Sequence, residues 1–136
     1  MVDVNARTPA ETIRAIYAAV AKGDLGTVIG FLDSDIVLHQ SSALPFAGDW
    51  RGHDGFRSMG AAIYAAWPDF SVTPEGFFGD GDTVLVTTRV RGANDAAIRL
   101  DQPMIERWRV IGGKAVECQP FYFDPALAAA SANPGA

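Results

Sequence analysis

Apolar side chains recur at i, i+3, i+4 and i+7 over Ile13, Ile16, Tyr17 and Val20, the spacing of one helical stripe. Thr8-Pro9-Ala10-Glu11 supplies its start: threonine caps, proline suits the first helical position, and Glu11 closes a capping box. Gly23 ends this helix and Asp24 caps a second, whose stripe is Leu25, Val28, Ile29 and Leu32. A third helix is predicted from Asp54 to Trp67, with Phe56, Met59 and Ile63 on its buried side and Pro68 after its end. Between the second and third helices, Asp35 to Gln40 reads as a short strand and Ser41 to Gly52 as a loop punctuated by Pro45, Gly48 and Gly52. After Pro68 the period changes from 3.6 to 2. Phe70 to Phe78, Thr83 to Arg91, Ile98 to Ile111 and Ala115 to Phe123 all read as strands. Gly79-Asp80-Gly81-Asp82 turns the first pair, and Gly112-Gly113 forms a two-residue hairpin loop. Helices first and an antiparallel meander afterwards give an α+β domain over residues 1–126, with 127–136 an alanine-rich flexible tail. Three N-terminal helices wrapped by a curved antiparallel sheet would enclose a cone-shaped cavity.

Composition narrows what such a cavity does. Of 136 residues, 49% are apolar, enough for a core, and sixteen acidic residues outnumber eleven basic ones for a net charge of −5. That balance argues against a nucleic-acid partner, which would need clustered Lys and Arg. The longest apolar runs, Ala15–Ala21 and Ala61–Trp67, fall far short of the roughly 20 residues that span a bilayer. The opening MVDVNARTPAE has no apolar segment behind a basic end, so a cytoplasmic location is expected. Cys118 is the single cysteine, and no Cys/His cluster offers metal ligands.

Three segments carry a resemblance: IYAAVAKGDLGTVIGFLDSDIVLHQ (16–40), GDWRGHDGF (48–56) and MIERWRVIGGKAVECQPFYFD (104–124). In order and spacing they are similar to the SnoaL-like branch of the nuclear transport factor two superfamily, which also holds ketosteroid isomerases, polyketide cyclases and limonene epoxide hydrolases. The resemblance implies a cystatin-like cone, a hydrophobic small-molecule substrate, acid/base chemistry without a cofactor, and a homodimer. It places Gln40 where the steroid isomerases carry their general base, with His39 beside it as a reserve base. Ile16 falls where those enzymes have a first-helix tyrosine, and Tyr17 lies one step away, about 100° around the helix. Glu106 matches their protonated carboxylic acid. The epoxide hydrolase pattern fails, because Arg91 stands where an acid alternates with an arginine matched by Arg89.

The residues themselves say something similar. On a strand, Met104, Glu106, Trp108 and Val110 share one face, and a carboxylate among such neighbours has its pKa raised if desolvated. Glu106, Gln40 and His39 are the catalytic candidates, although His39 and Gln40 point to opposite faces. Tyr17, Phe46, Trp50, Trp108 and Phe121 are candidate pocket walls, with Phe46 and Trp50 expected on a loop over the cavity mouth. His53 reads as a helix-start residue, and Cys118 as packing. A bulge or an edge is expected near Pro120, which cannot donate to a ladder. Val84, Val86, Thr88 and Val90 suggest an apolar outer face that a second copy of the chain would cover.

Overall fold

The computed structural model describes residues 7–95 and 97–133. Helix α1 (Pro9–Ala21) begins with the expected capping box: Thr8 Oγ1 accepts from Glu11 N at 3.1 Å, and Glu11 Oε1 accepts from Thr8 N at 3.2 Å. Short helix α2 (Leu25–Gly30) is capped by Asp24, and α3 (Gly52–Ala66) starts two residues before the predicted position. Strands β1 (Leu32–Gln40), β2 (Gly48–Arg51), β3 (Asp69–Asp80), β4 (Thr83–Ala93), β5 (Leu100–Ile111) and β6 (Lys114–Tyr122) form one curved, unclosed sheet in the order β2-β1-β6-β5-β4-β3. Gly112 and Gly113, both at positive φ, make the tight β5–β6 turn.

The sheet is mixed rather than wholly antiparallel. β3 to β6 form the expected meander, but β1 runs parallel to β6, with Leu38 opposite Cys118. β2 lies inside the segment read as a loop. Its four residues, Gly-Asp-Trp-Arg, show no apolar alternation, and they extend because the free edge of β1 offers them a ladder.

α1 packs against the β3–β6 half of the concave face and α3 against β1 and β2. Val84, Val86, Thr88 and Val90 point inward and are fully buried, correcting the outer face predicted for them; that face of β4 carries Leu85, Thr87, Arg89 and Arg91. Val20 is exposed, and Ala19 fills the α1 stripe instead.

The C-terminal segment read as a flexible tail is instead helix α4 (Pro125–Ser131), capped by Asp124; residues 134–136 lie outside the described part. Its anchor is Trp67, which is fully buried, stacks on Phe70 at 5.7 Å, meets Phe46 edge-on, and donates from Nε1 to Ser131 Oγ at 3.1 Å. Ala128 is buried with it. Among the described residues no helix is long and apolar enough to cross a membrane.

Candidate functional site

Alternation along β5 turns Met104, Glu106, Trp108 and Val110 toward the concave side, as period 2 requires. Glu106 pairs with Val86 on one side and Pro120 on the other, so it stands in the middle of the sheet. Tyr17 reaches it from α1 and donates its hydroxyl to Glu106 Oε1 in a short hydrogen bond. The same phenol oxygen accepts from Trp108 Nε1 at 3.2 Å. Indole nitrogen can only donate, which leaves the phenol proton directed at the carboxyl. Cys118 Sγ lies 3.9 Å from Glu106 Oε2, a long and weak contact.

Electrostatics follow from this crowding. Desolvation raises the Glu106 pKa, and the donors Tyr17 and Cys118 pull it back only in part. Burial, then the neighbouring Glu106 charge, push both Tyr17 and Cys118 well above their ordinary values. Glu106 is half-buried as a residue, while its carboxyl is desolvated.

Tyr17 thus corrects the one-step offset from the helix tyrosine. Ile13, Ile16 and Tyr17 are all buried, so the inward arc of α1 is wide enough for a long side chain at 17 to reach β5 while Ile16 fills the core. Phe77 closes the ring edge-on to Tyr17 at 5.6 Å and carries the Arg14 guanidinium over its face at 4.4 Å.

Gln40 and His39 separate as alternation demands. Gln40 turns inward, where Nε2 donates to Met59 Sδ at 3.2 Å and Oε1 is buried with no partner among the described residues. His39 turns outward onto the convex face, with Nδ1 2.7 Å from Asp49 and Nε2 2.9 Å from Glu117. Hydrogen bonds to Glu117, then Asp49, raise its pKa against the opposing effect of burial. It has no line to Glu106, which rules it out as reserve base there.

The wall candidates divide. Trp108 belongs to the Glu106 network. Phe46 is buried in the core against Trp67 rather than lying over a mouth, and Trp50, on β2, donates from Nε1 to Phe46 O at 3.0 Å. Both are pinned by packing because the segment around them is folded rather than open loop. Phe121 points outward, 47% exposed, with Arg107 over its ring. Its edge nevertheless borders a cavity of about 340 Å³ lined by Gln40, Ser41, Ser42, Gln119, Pro120, Phe121, Tyr122 and Pro125. This cavity opens where β1 stops, beside Glu106 rather than upon it. Pro120, which lines the cavity, is the cross-strand partner of Glu106.

β6 carries Cys118, Pro120 and Tyr122 inward and Glu117, Gln119 and Phe121 outward. A register shift between Arg109 and Val110 sets that phase, several residues before the proline. Pro120 itself sits past the last bridged pair with β1, an edge where a missing N–H leaves no gap. Tyr122, Ser41 and Ser42 were not among the candidates; alternation from Cys118 would have found Tyr122, whereas nothing marked the two serines.

His53 lies in the first turn of α3 with Nε2 2.9 Å from Leu32 O, a structural bond. Arg89 and Arg91 both reach Asp101 on the outer face, at 2.7 and 3.4 Å, far from the carboxyl network. No group of three His, Cys, Asp or Glu among the described residues is placed to hold a metal ion.

A family model described as a SnoaL-like domain matches residues 13–118. No curated protein matches the chain. Among solved structures, Bal32a, from a soil-derived mobile gene cassette, is 20% identical with a TM-score of 0.84, covering 92% of this chain and 96% of its own. A protein of unknown function with a cystatin-like fold from Xanthomonas campestris is 23% identical, TM-score 0.83, covering 91% and 97%. IdmH, a candidate polyketide cyclase from Streptomyces antibioticus, is 23% identical, TM-score 0.70, covering 89% and 96%. At such identities the likeness establishes the fold alone.

Proposed function

This chain belongs to the SnoaL-like family, and from that and its buried carboxyl we propose a small-molecule enzyme whose acid/base chemistry, cyclisation or isomerisation next to a carbonyl, needs no cofactor. The observation that carries it is Glu106: a desolvated acid held in one orientation by Tyr17 at the centre of the concave face. A carboxyl with a raised pKa is suited to take a proton from the carbon beside a carbonyl and return it elsewhere. Tyr17 fixes one carboxyl oxygen and leaves the other, near Cys118, for the substrate. Gln40, expected to donate to an enolate oxygen, has its amide nitrogen turned to Met59 Sδ, and the Tyr17 proton is committed to Glu106. The candidate polyketide cyclase IdmH shares this fold, and a hydrophobic carbonyl compound is the substrate class we favour. The lone thiol suits a reducing compartment, the cytoplasm.

A test needs no knowledge of the natural substrate. In D2O, the wild type should accelerate deuterium uptake at the α-carbons of 2-tetralone, followed by NMR, and Glu106→Gln should lose that acceleration by about 10²- to 10⁴-fold. Equal rates for the two proteins, with circular dichroism unchanged, would remove Glu106 from the chemistry.

A second reading has its own support. Gln40 occupies the end of β1, and an amide cannot accept a proton at neutral pH. A module that holds an apolar ligand without turning it over would bind 2-tetralone, gain thermal stability from it, and exchange no deuterium.

A further inference from the structure

We infer that the cavity at the end of β1 selects ligands bearing a hydroxyl group on a flat ring, and that Gln40 Oε1 is the acceptor that reads it. This rests on the small-molecule ligand proposed above but not on proton transfer by Glu106.

Gln40 Oε1 is a buried acceptor with no partner among the described residues. Native interiors rarely leave such a group unpaired, because its water has been stripped away with nothing in exchange. The orientation of the amide is decided by its other end. Nε2 faces Met59 Sδ at 3.2 Å, and turning the amide over would set its oxygen against the sulfur, acceptor against acceptor. The oxygen is therefore the end left over, and what it lacks is a donor. A thioether is a weak acceptor, so the bond to Met59 yields readily and the amide can swing toward the cavity it already lines.

The rest of the lining fits the same class of ligand. Pro120, Tyr122, Phe121 and Pro125 present flat apolar surfaces, while Ser41 and Ser42 make the rim polar. Ser41 Oγ already accepts from Ala43 N at 3.2 Å, which ties down the turn carrying both serines. At about 340 Å³ the space lies at the small end of ligand pockets and suits two or three fused rings. The Tyr122 phenol makes no hydrogen bond among the described residues and can meet a second polar group of the ligand.

The experiment compares two probes of nearly equal shape by calorimetry: 2-naphthol, which donates, and 2-methoxynaphthalene, which does not. The wild type should bind 2-naphthol at least tenfold more tightly. Gln40→Leu, which removes the orphaned oxygen at similar volume, should bind both alike and melt no lower than the wild type. Gln40→Glu keeps the shape and an acceptor, and should retain the preference for 2-naphthol, which covers the case in which the leucine variant fails to fold. Equal affinities in the wild type, as when a resident water answers Oε1, would overturn the inference. So would a preference that survives Gln40→Leu, or binding of neither probe up to its solubility. Deuterium uptake by the wild type and its tenfold ratio in calorimetry are read separately, so failed proton transfer and failed hydroxyl recognition appear as different results.

Discussion

Replacing Glu106 with glutamine separates what its carboxyl does for chemistry from what it does to the fold. Its folded pKa lies above the unfolded value, so the stability present below the unfolded pKa is lost as pH rises through the folded one. Glu106→Gln should therefore melt higher than the wild type at pH 8 and close to it near pH 4, by calorimetry. Tyr17→Phe acts in the other sense. It strands Trp108 Nε1 without an acceptor, at a cost of about 1–3 kcal/mol, and removes a donor that had been lowering the Glu106 pKa. In chemical denaturation that loss should appear directly, and the acid limb of any pH–rate profile should move to higher pH. His39 titrates elsewhere. Its raised pKa means the bridge between Asp49 and Glu117 is complete below the unfolded value and fades as pH rises through the folded one. His39→Gln should flatten the melting curve against pH in that window. Alternation within the strand was enough to place Glu106, and to set His39 and Gln40 on opposite faces. It was not enough for Tyr17, because one residue on a helix is a rotation of about 100° and only packing decides how wide the inward arc is. Nor could it foresee which end of the Gln40 amide would be free, which depends on a sulfur from α3.

Trp67 ties four elements at once: the end of α3, the start of β3, the 41–47 segment through Phe46, and α4 through Ser131. Gly92 on β4 makes that possible, since a Cβ there would lie 2.7 Å from Trp67 Cγ. Gly92→Ala should destabilise by about 1–3 kcal/mol through overpacking, and thermal melts should show it without change in the secondary-structure spectrum. The sequence patterns were strong where an element is amphipathic over its whole length, as in α1, α3 and β4. They were weak where tertiary contact makes the element. β2 extends because β1 offers a free edge, and α4 is held by Trp67 against an alanine-rich sequence whose composition alone suggests fraying.

At the scale of the whole molecule, the convex face of the sheet is where partners are expected. Phe78, Leu85, Ile105 and Phe121 are exposed there in adjacent cross-strand rows. A two-fold axis through β4 and β5 would lay these rows against their own copies, and we propose a homodimer on that basis. Light scattering should give twice the chain mass, and Ile105→Asp should return it to one. The valines expected to make this face lie on the other side of the same strand; alternation revealed two faces of β4 without saying which was the inner. The concave side has a different consequence, one in time. β1 and β6 lie far apart in sequence, and Gln40 and Pro120 come to line one cavity only when that parallel pairing is made. Contacts so distant in sequence are slow to form. A chain still emerging from the ribosome therefore has no ligand cavity until β6 is free, and recognition of any small molecule waits for that strand to leave the exit tunnel.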